Sequence, residues 1–156
     1  VGIVLGFRPG HLVLDWGSGC AHKLTWAKVL FDVDGLGVEV AEAAVSWARA
    51  HSAGKFCHAD GRNLSWIPDG MFDFVFSYGA LYLLTDVEQC ATGRQLLQKL
   101  RVGGRAFLGW NRANEVGNLA WRRCFATSNG PSQVEVEELE DGLFFAPNEQ
   151  LASNAA

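Results

Sequence analysis

Apolar residues along the chain form two alternating patterns. His11–Trp16, Phe72–Ser77 and Arg105–Trp110 are short, near-continuous apolar runs ending at glycine or a polar residue, as expected of strands covered on both faces of a parallel sheet. Leu36–Val40 and Lys55–His58 read as two weaker strands. Helical patterns lie between and after them. His22–Leu30 has Leu24, Ala27, Val29 and Leu30 on its expected inner face, and Ala41–His51 has Val45, Trp47 and Ala48. Asp86–Leu100 carries Cys90, Leu96, Leu97 and Leu100, then stops at Gly103-Gly104. Alternation of strand and helix predicts right-handed βαβ units and an α/β fold: a doubly wound, mostly parallel sheet with helices on both faces. Beyond Asn111 the pattern weakens. Residues 114–126 read as a helix ending near Asn129-Gly130, and Gln133–Leu139 as one half-exposed strand. One domain is expected over residues 1–145, with a disordered tail at 146–156.

At 156 residues, 49% hydrophobic and 19% charged, the chain has the size and composition of one globular domain. No apolar run approaches the roughly 20 residues that span a bilayer, so no membrane partner is expected. The chain opens at Val1, mid-pattern, and its first residues show no signal-peptide pattern. It is therefore expected to be a fragment of a cytoplasmic protein, shortened at both ends. Cys20, Cys57, Cys90 and Cys124 fit neither a zinc site nor a small disulfide scaffold, so four free thiols in a reducing compartment are expected. The net charge of -4 is concentrated in Glu135, Glu137, Glu138, Glu140 and Asp141, and the rest of the chain is nearly neutral. Without a basic stripe or an aligned row of tryptophans, a nucleic-acid partner is not expected. No metal-ligand cluster is visible in the spacing.

Candidate chemistry gathers where the first strand ends, in Asp15-Trp16-Gly17-Ser18-Gly19. In an open α/β sheet this turn lies at the carboxyl edge, where ligands bind. Glycine there lets the backbone approach a ligand closely. Asp15 discriminates among ligands: a carboxylate repels a pyrophosphate but welcomes an ammonium or sulfonium. The Gly-x-Gly-x-x-Gly spacing of nicotinamide folds also fails, because His22 stands at the third glycine position. The competing reading of Asp15 is a simple helix or turn cap. Glu39 ends the second strand about 20 residues on, where a carboxylate can accept from both ribose hydroxyls; otherwise it is a surface glutamate. Asp60, followed by Gly61, is a candidate acceptor for an adenine amino group, or an ordinary Asp-Gly turn. The fourth strand delivers Ser77 and Tyr78 to the same edge. Tyr78 is a candidate substrate contact, with packing on the next helix as the alternative, and Asn111 is a second candidate. His22 reads as a solvated first-turn residue.

Six segments in order carry a resemblance: Arg8-Pro9-Gly10, Asp15-x-Gly17-x-Gly19, Gly37-Val38-Glu39, Ala59-Asp60-Gly61, Phe72-Asp73-Phe74-Val75 and Leu100-Arg101-Val102-Gly103-Gly104-Arg105. Together, across residues 8–110, they resemble the class I S-adenosyl-methionine-dependent methyltransferases, especially the small-molecule group called type 11. The resemblance implies a Rossmann-like fold whose sheet closes with an antiparallel pair after the fifth strand. It implies S-adenosyl-L-methionine as cofactor and a small-molecule methyl acceptor. By resemblance, Asp15, Gly17 and Gly19 hold the methionine part, Glu39 the ribose, Asp60 and Gly61 the adenine, and the Ser77 backbone the sulfonium side. Two features depart from the family: Ala21 occupies the usual third glycine position, and only one strand is legible after Trp110.

Methyl transfer is an in-line displacement that depends mainly on alignment and exclusion of water, so no fixed catalytic residue is assigned. A base matters only for acceptors of high pKa. The order Ser77-Tyr78-Gly79-Ala80 differs from the Asn/Asp-Pro-Pro-aromatic pattern of enzymes that methylate nucleic-acid amino groups. Two other readings remain open: a non-catalytic interaction domain on the same fold, and a nicotinamide-dependent oxidoreductase, which Asp15 disfavours.

Overall fold

The computed structural model describes residues 6–109, residue 124, and the strands at 134–139 and 142–147. Its strands are β1 (Leu12–Trp16), β2 (Asp34–Glu39), β3 (Lys55–His58), β4 (Phe72–Tyr78), β5 (Leu100–Gly109), β6 (Val134–Leu139) and β7 (Gly142–Pro147). The helices are α1 (His22–Phe31), α2 (Glu42–His51) and α3 (Asp86–Gln98), with a short 3-10 turn at Leu81–Leu83. All seven strands form one sheet in the order β3-β2-β1-β4-β5-β7-β6. The strands from β3 to β5 pair in parallel, whereas β7 runs antiparallel to β5 and β6 antiparallel to β7. The doubly wound fold expected from the sequence is thus present. β7, however, was not recognised in the sequence. Leu143, Phe144 and Phe145 form an apolar run without alternation, too short to stand out, and the strand they belong to pairs with β5 on one side and β6 on the other. β7 reaches Pro147, two residues into the expected tail. Most of the helix expected over 114–126 lies outside the described residues.

Alternation along the strands divides the core into two layers. Leu14, Trp16, Val75 and Leu108 face one way and pack with Leu81, Leu96 and Leu97 near α3. Val13, Phe74, Phe76 and Phe107 face the other way and pack with Leu24 and Ala27 of α1 and Val45 and Ala48 of α2. The inner faces of these two helices are narrower than the sequence suggested. Val29 and Leu30 are 70% and 64% exposed, and Trp47 is 40% exposed. In each ten-residue helix only one i, i+3 pair is buried. α3 begins with a capping box in which Thr85 and Glu88 satisfy each other's backbone N–H.

The cysteine expectation is corrected. Cys90 on α3 is joined to Cys124 in a disulfide, with Cα atoms 5.6 Å apart and a sequence separation of 34. A spacing rule detects local motifs, and this pairing links α3 to a residue beyond β5. Cys20 and Cys57 are free. Among the described residues, no helix is long and apolar enough to cross a membrane.

Candidate functional site at the carboxyl edge

Strand register brings the chosen residues to one edge of the sheet. Asp15 lies beside Gly37 on β2 and Phe76 on β4, Glu39 beside His58, and Tyr78 beside Gly109. β1 sits between β2 and β4, where the winding of the sheet reverses and a crevice opens. The turn leaving β1 is tied to β2, because the N–H groups of Gly17 and Ser18 both donate to the Val38 carbonyl, at 2.9 and 3.2 Å. Gly17, Gly19 and Ala21 all have positive φ, at 69°, 52° and 61°. That left-handed path costs Ala21 about 1–2 kcal/mol, offset in part by burying its methyl group. The methyl is fully buried in the cluster with Val13 and Leu24, so it fills core and not the ligand side of the turn.

The motif glycines serve different purposes. A Cβ on Gly17 would lie 2.3 Å from the Cβ of Ala80; on Gly37, 2.7 Å from Ser18 Oγ; on Gly61, 2.2 Å from Trp16 Nε1. These three allow the protein to pack closely on itself. Gly19 and Gly79 have nothing within 4 Å in the same direction, so they border open space on either side of the β1–β4 switch point.

The three carboxylates differ in environment. Glu39 accepts from Gly19 N–H through Oε2 at 2.9 Å, and from Val40 and Ala41 N–H through Oε1 at 2.8 and 2.9 Å. Asp60 is clasped by Arg62, whose Nη2 lies 2.6 Å from Oδ2 and whose Nη1 reaches Glu88 at 2.9 Å. The hydrogen bonds from Arg62 hold the Asp60 carboxyl down at about 2. Asp15 is fully buried, and neither of its oxygens accepts a hydrogen bond. Lys23 Nζ is its ion-pair partner at 3.5 Å, longer than a normal hydrogen bond. Burial pushes Asp15 up to about 7; Lys23 opposes the shift and the charge on Glu39 adds to it. The buried hydroxyls of Ser18 and Ser77 also have no hydrogen-bond partner. Beside Asp15, under α1, lies a cavity of about 270 Å³ lined by Lys23, Leu24, Phe76, Val13 and Phe7 among others.

Tyr78 is 40% exposed and stacks on Phe107 with ring centroids 6.4 Å apart. Asn111 lies outside the described residues. His22 packs against Trp47, which stacks on His51. The sequence reading passed over Lys23, Arg62 and Trp16. Lys23 had one local signal, a cation in the first turn of a helix, where anions are favoured. Arg62 had none beyond its place two residues after Asp60. Among the described residues, no group of three or more His, Cys, Asp or Glu side chains is placed to hold a metal ion.

An S-adenosyl cofactor suits this edge in three respects: Asp15 lacks a hydrogen-bond donor, Ser18 and Ser77 lack partners, and Gly19 borders open space. At the adenine end, the ligand would meet an Asp60–Arg62 pair and not a free carboxylate.

A family model described as a methyltransferase domain matches residues 13–104, more than half of the chain. Among curated proteins, phosphoethanolamine N-methyltransferase 3 of Arabidopsis thaliana is 28% identical over 110 residues, covering 67% of this chain and 22% of the plant protein. The chain thus spans under a quarter of that relative's length. Among solved structures, a TehB-like SAM-dependent methyltransferase from Corynebacterium glutamicum superposes with a TM-score of 0.73 at 16% identity, over 94% of this chain and 85% of that one. A SAM-dependent methyltransferase from Thiobacillus denitrificans, in complex with S-adenosyl-L-homocysteine, has a TM-score of 0.59 at 25% identity, over 69% of this chain and 45% of that one. The family match runs from β1 into β5, through the glycine turn, Glu39, Asp60 and Ser77, and the chain belongs to the methyltransferase domain family.

Proposed function

We propose that the chain binds S-adenosyl-L-methionine at the carboxyl ends of β1, β2 and β4 and supports methyl transfer to a small-molecule acceptor. Asp15 is the observation that carries this reading: a fully buried carboxylate without a hydrogen bond, at the strand switch point. A carboxyl raised by burial gains strongly from a cationic donor, because the donor stabilises the ionised form that burial penalises. When bound, the cofactor supplies a methyl group activated by its sulfonium. In this reading Asp15 accepts from the ammonium, beside the turn at Gly17 and Gly19. Glu39 exchanges its bond from Gly19 for the ribose hydroxyls, Asp60 and Gly61 border the adenine with Arg62, and Ser77 lies on the sulfonium side. Tyr78 and Asn111 flank the acceptor, and an aromatic face near a sulfonium stabilises it as it would any cation.

The named activity of the plant relative, together with the lack of a basic stripe, supports a small-molecule acceptor. The test is release of S-adenosyl-homocysteine from S-adenosyl-methionine across a panel of small amines, phosphorylated amino alcohols, phenols and thiols, with RNA and protein as comparison acceptors. Turnover with at least one small acceptor, abolished by Asp15→Ala, is expected. Turnover with RNA or protein alone contradicts the acceptor class. A second reading, a non-catalytic domain, is favoured by one observation: Glu39 and Asp60 already have internal partners. Cofactor binding without turnover on any acceptor would support it.

A further inference from the structure

The methionine end of the cofactor carries an ammonium and a carboxylate, and the reading above accounts only for the ammonium. Lys23 stands where the other charge needs a partner. Its Nζ is 3.5 Å from Asp15 Oδ1, its side chain is 34% exposed, and its ammonium lies 5.4 Å from the centre of the Phe76 ring. Lys23 and Asp15 share the wall of the cavity under α1, whose remaining lining is almost entirely hydrocarbon.

The position of Lys23 runs against the usual charge preference. The N-terminal turn of a helix is its positive end and favours anions. The first turn of α1 contains no acid, and its N-cap residue, Ala21, makes no side-chain cap. The Lys23 ammonium therefore stands beside a single carboxylate, Asp15, that accepts no hydrogen bond. Glu39, the other nearby acid, is engaged by Gly19, Val40 and Ala41. One unsatisfied carboxylate beside one partly exposed ammonium is the complement of a zwitterion.

We propose that Asp15 and Lys23 together read the zwitterionic end of the cofactor, Asp15 accepting from the α-ammonium and Lys23 donating to the α-carboxylate. This assignment rests on the cofactor reading above. Lys23 lies outside the motif residues to which the family resemblance gives a role.

The test is calorimetry with three ligands: S-adenosyl-homocysteine, its decarboxylated analogue, which keeps the ammonium, and 5′-methylthioadenosine, which lacks both charges. In the wild type, loss of the carboxylate should weaken binding by about tenfold or more, as for a charge-assisted hydrogen bond. Lys23→Met should weaken S-adenosyl-homocysteine by a similar factor while leaving the other two ligands within about twofold, and Lys23→Arg should retain most of the affinity. The wild-type series does not depend on how the variants fold. Equal wild-type affinity for S-adenosyl-homocysteine and its decarboxylated analogue overturns the assignment, as does an equal loss of all three ligands in Lys23→Met. If the wild type binds none of the three, the cofactor reading itself fails. If it binds 5′-methylthioadenosine as tightly as S-adenosyl-homocysteine, the nucleoside site stands and the zwitterion reader does not.

Discussion

The indole Nε1 of Trp16 donates a 2.8 Å hydrogen bond to the carbonyl of Gly61, and a methyl group on Gly61 would lie 2.2 Å from that same nitrogen. The last residue of β1 thereby fixes the loop that presents Asp60. Trp16→Phe leaves the Gly61 carbonyl without its donor and should cost about 1–3 kcal/mol. Gly61→Ala overpacks the contact and should cost a similar ~1–3 kcal/mol. The double variant should lose less than the two single losses combined, because the smaller ring makes room for the new methyl. Urea unfolding of the two single variants and the double variant checks this; strictly additive losses would contradict direct contact.

Gly17 and Gly19 should respond differently to the same substitution. Both have positive φ, so alanine strains the backbone at either position. Only at Gly17 does the new methyl meet another atom, Ala80 Cβ at 2.3 Å. Gly17→Ala should therefore be less stable than Gly19→Ala by about 1–3 kcal/mol, and Ala80→Gly should recover much of that difference. Thermal denaturation of the three variants and the Gly17→Ala/Ala80→Gly pair is the check. Equal stability of the two alanine variants would show that the contact with Ala80 is unimportant.

Asp15 should give the fold a pH dependence of definite sign. Its carboxyl titrates at about 7 in the folded protein against 3.8 for an unperturbed group, so over this window the folded state holds a proton that the unfolded chain releases. The associated stability is complete below about pH 4 and is lost as pH rises through about 7. Asp15→Asn lacks this proton and should show a flatter profile, with its advantage over the wild type growing across that window. Urea midpoints measured across the range test the sign. A difference between the two proteins that does not change with pH would contradict the burial of an unsatisfied carboxylate.

The disulfide predicts a thiol count. Unfolded without reductant, the chain should show two reactive thiols, Cys20 and Cys57, and after reduction it should show four. Reduction should also lower stability by about 4 kcal/mol, the loop-closure value for a loop of this length. Four reactive thiols before reduction would contradict the Cys90–Cys124 pairing.

The legible parts of this site were those set by one strand and the turn that follows it. Asp15, Gly17, Gly19 and Glu39 could be placed at the carboxyl edge from sequence because an apolar run ending in glycine and a carboxylate marks that edge of a parallel sheet. The alternation of strands and helices likewise marked a doubly wound, mostly parallel sheet, whereas the order of its strands came from the structure. Features that depend on two distant segments were not legible. Arg62 joins Asp60 to Glu88 on α3, 26 residues away, and Cys90 meets Cys124 across the fold. The roles of Gly17, Gly37 and Gly61 as packing contacts depend on Ala80, Ser18 and Trp16 and could not be separated from ligand approach by motif alone. β7 escaped notice because its apolar run is short and lacks the alternation that marks a half-exposed strand. Val29 and Leu30 were placed inside by helical periodicity, but the residues α1 buries in the core are Leu24 and Ala27.

The central claim is that the carboxyl edge around Asp15 and Glu39 holds an S-adenosyl ligand. Titration calorimetry of S-adenosyl-homocysteine into the wild type and into folded Asp15→Ala and Glu39→Ala variants tests it most directly. The account predicts micromolar binding by the wild type and a loss of about tenfold or more in each variant, the scale of a charge-assisted contact. Absence of binding to the folded wild type, or binding that neither substitution weakens, would contradict it.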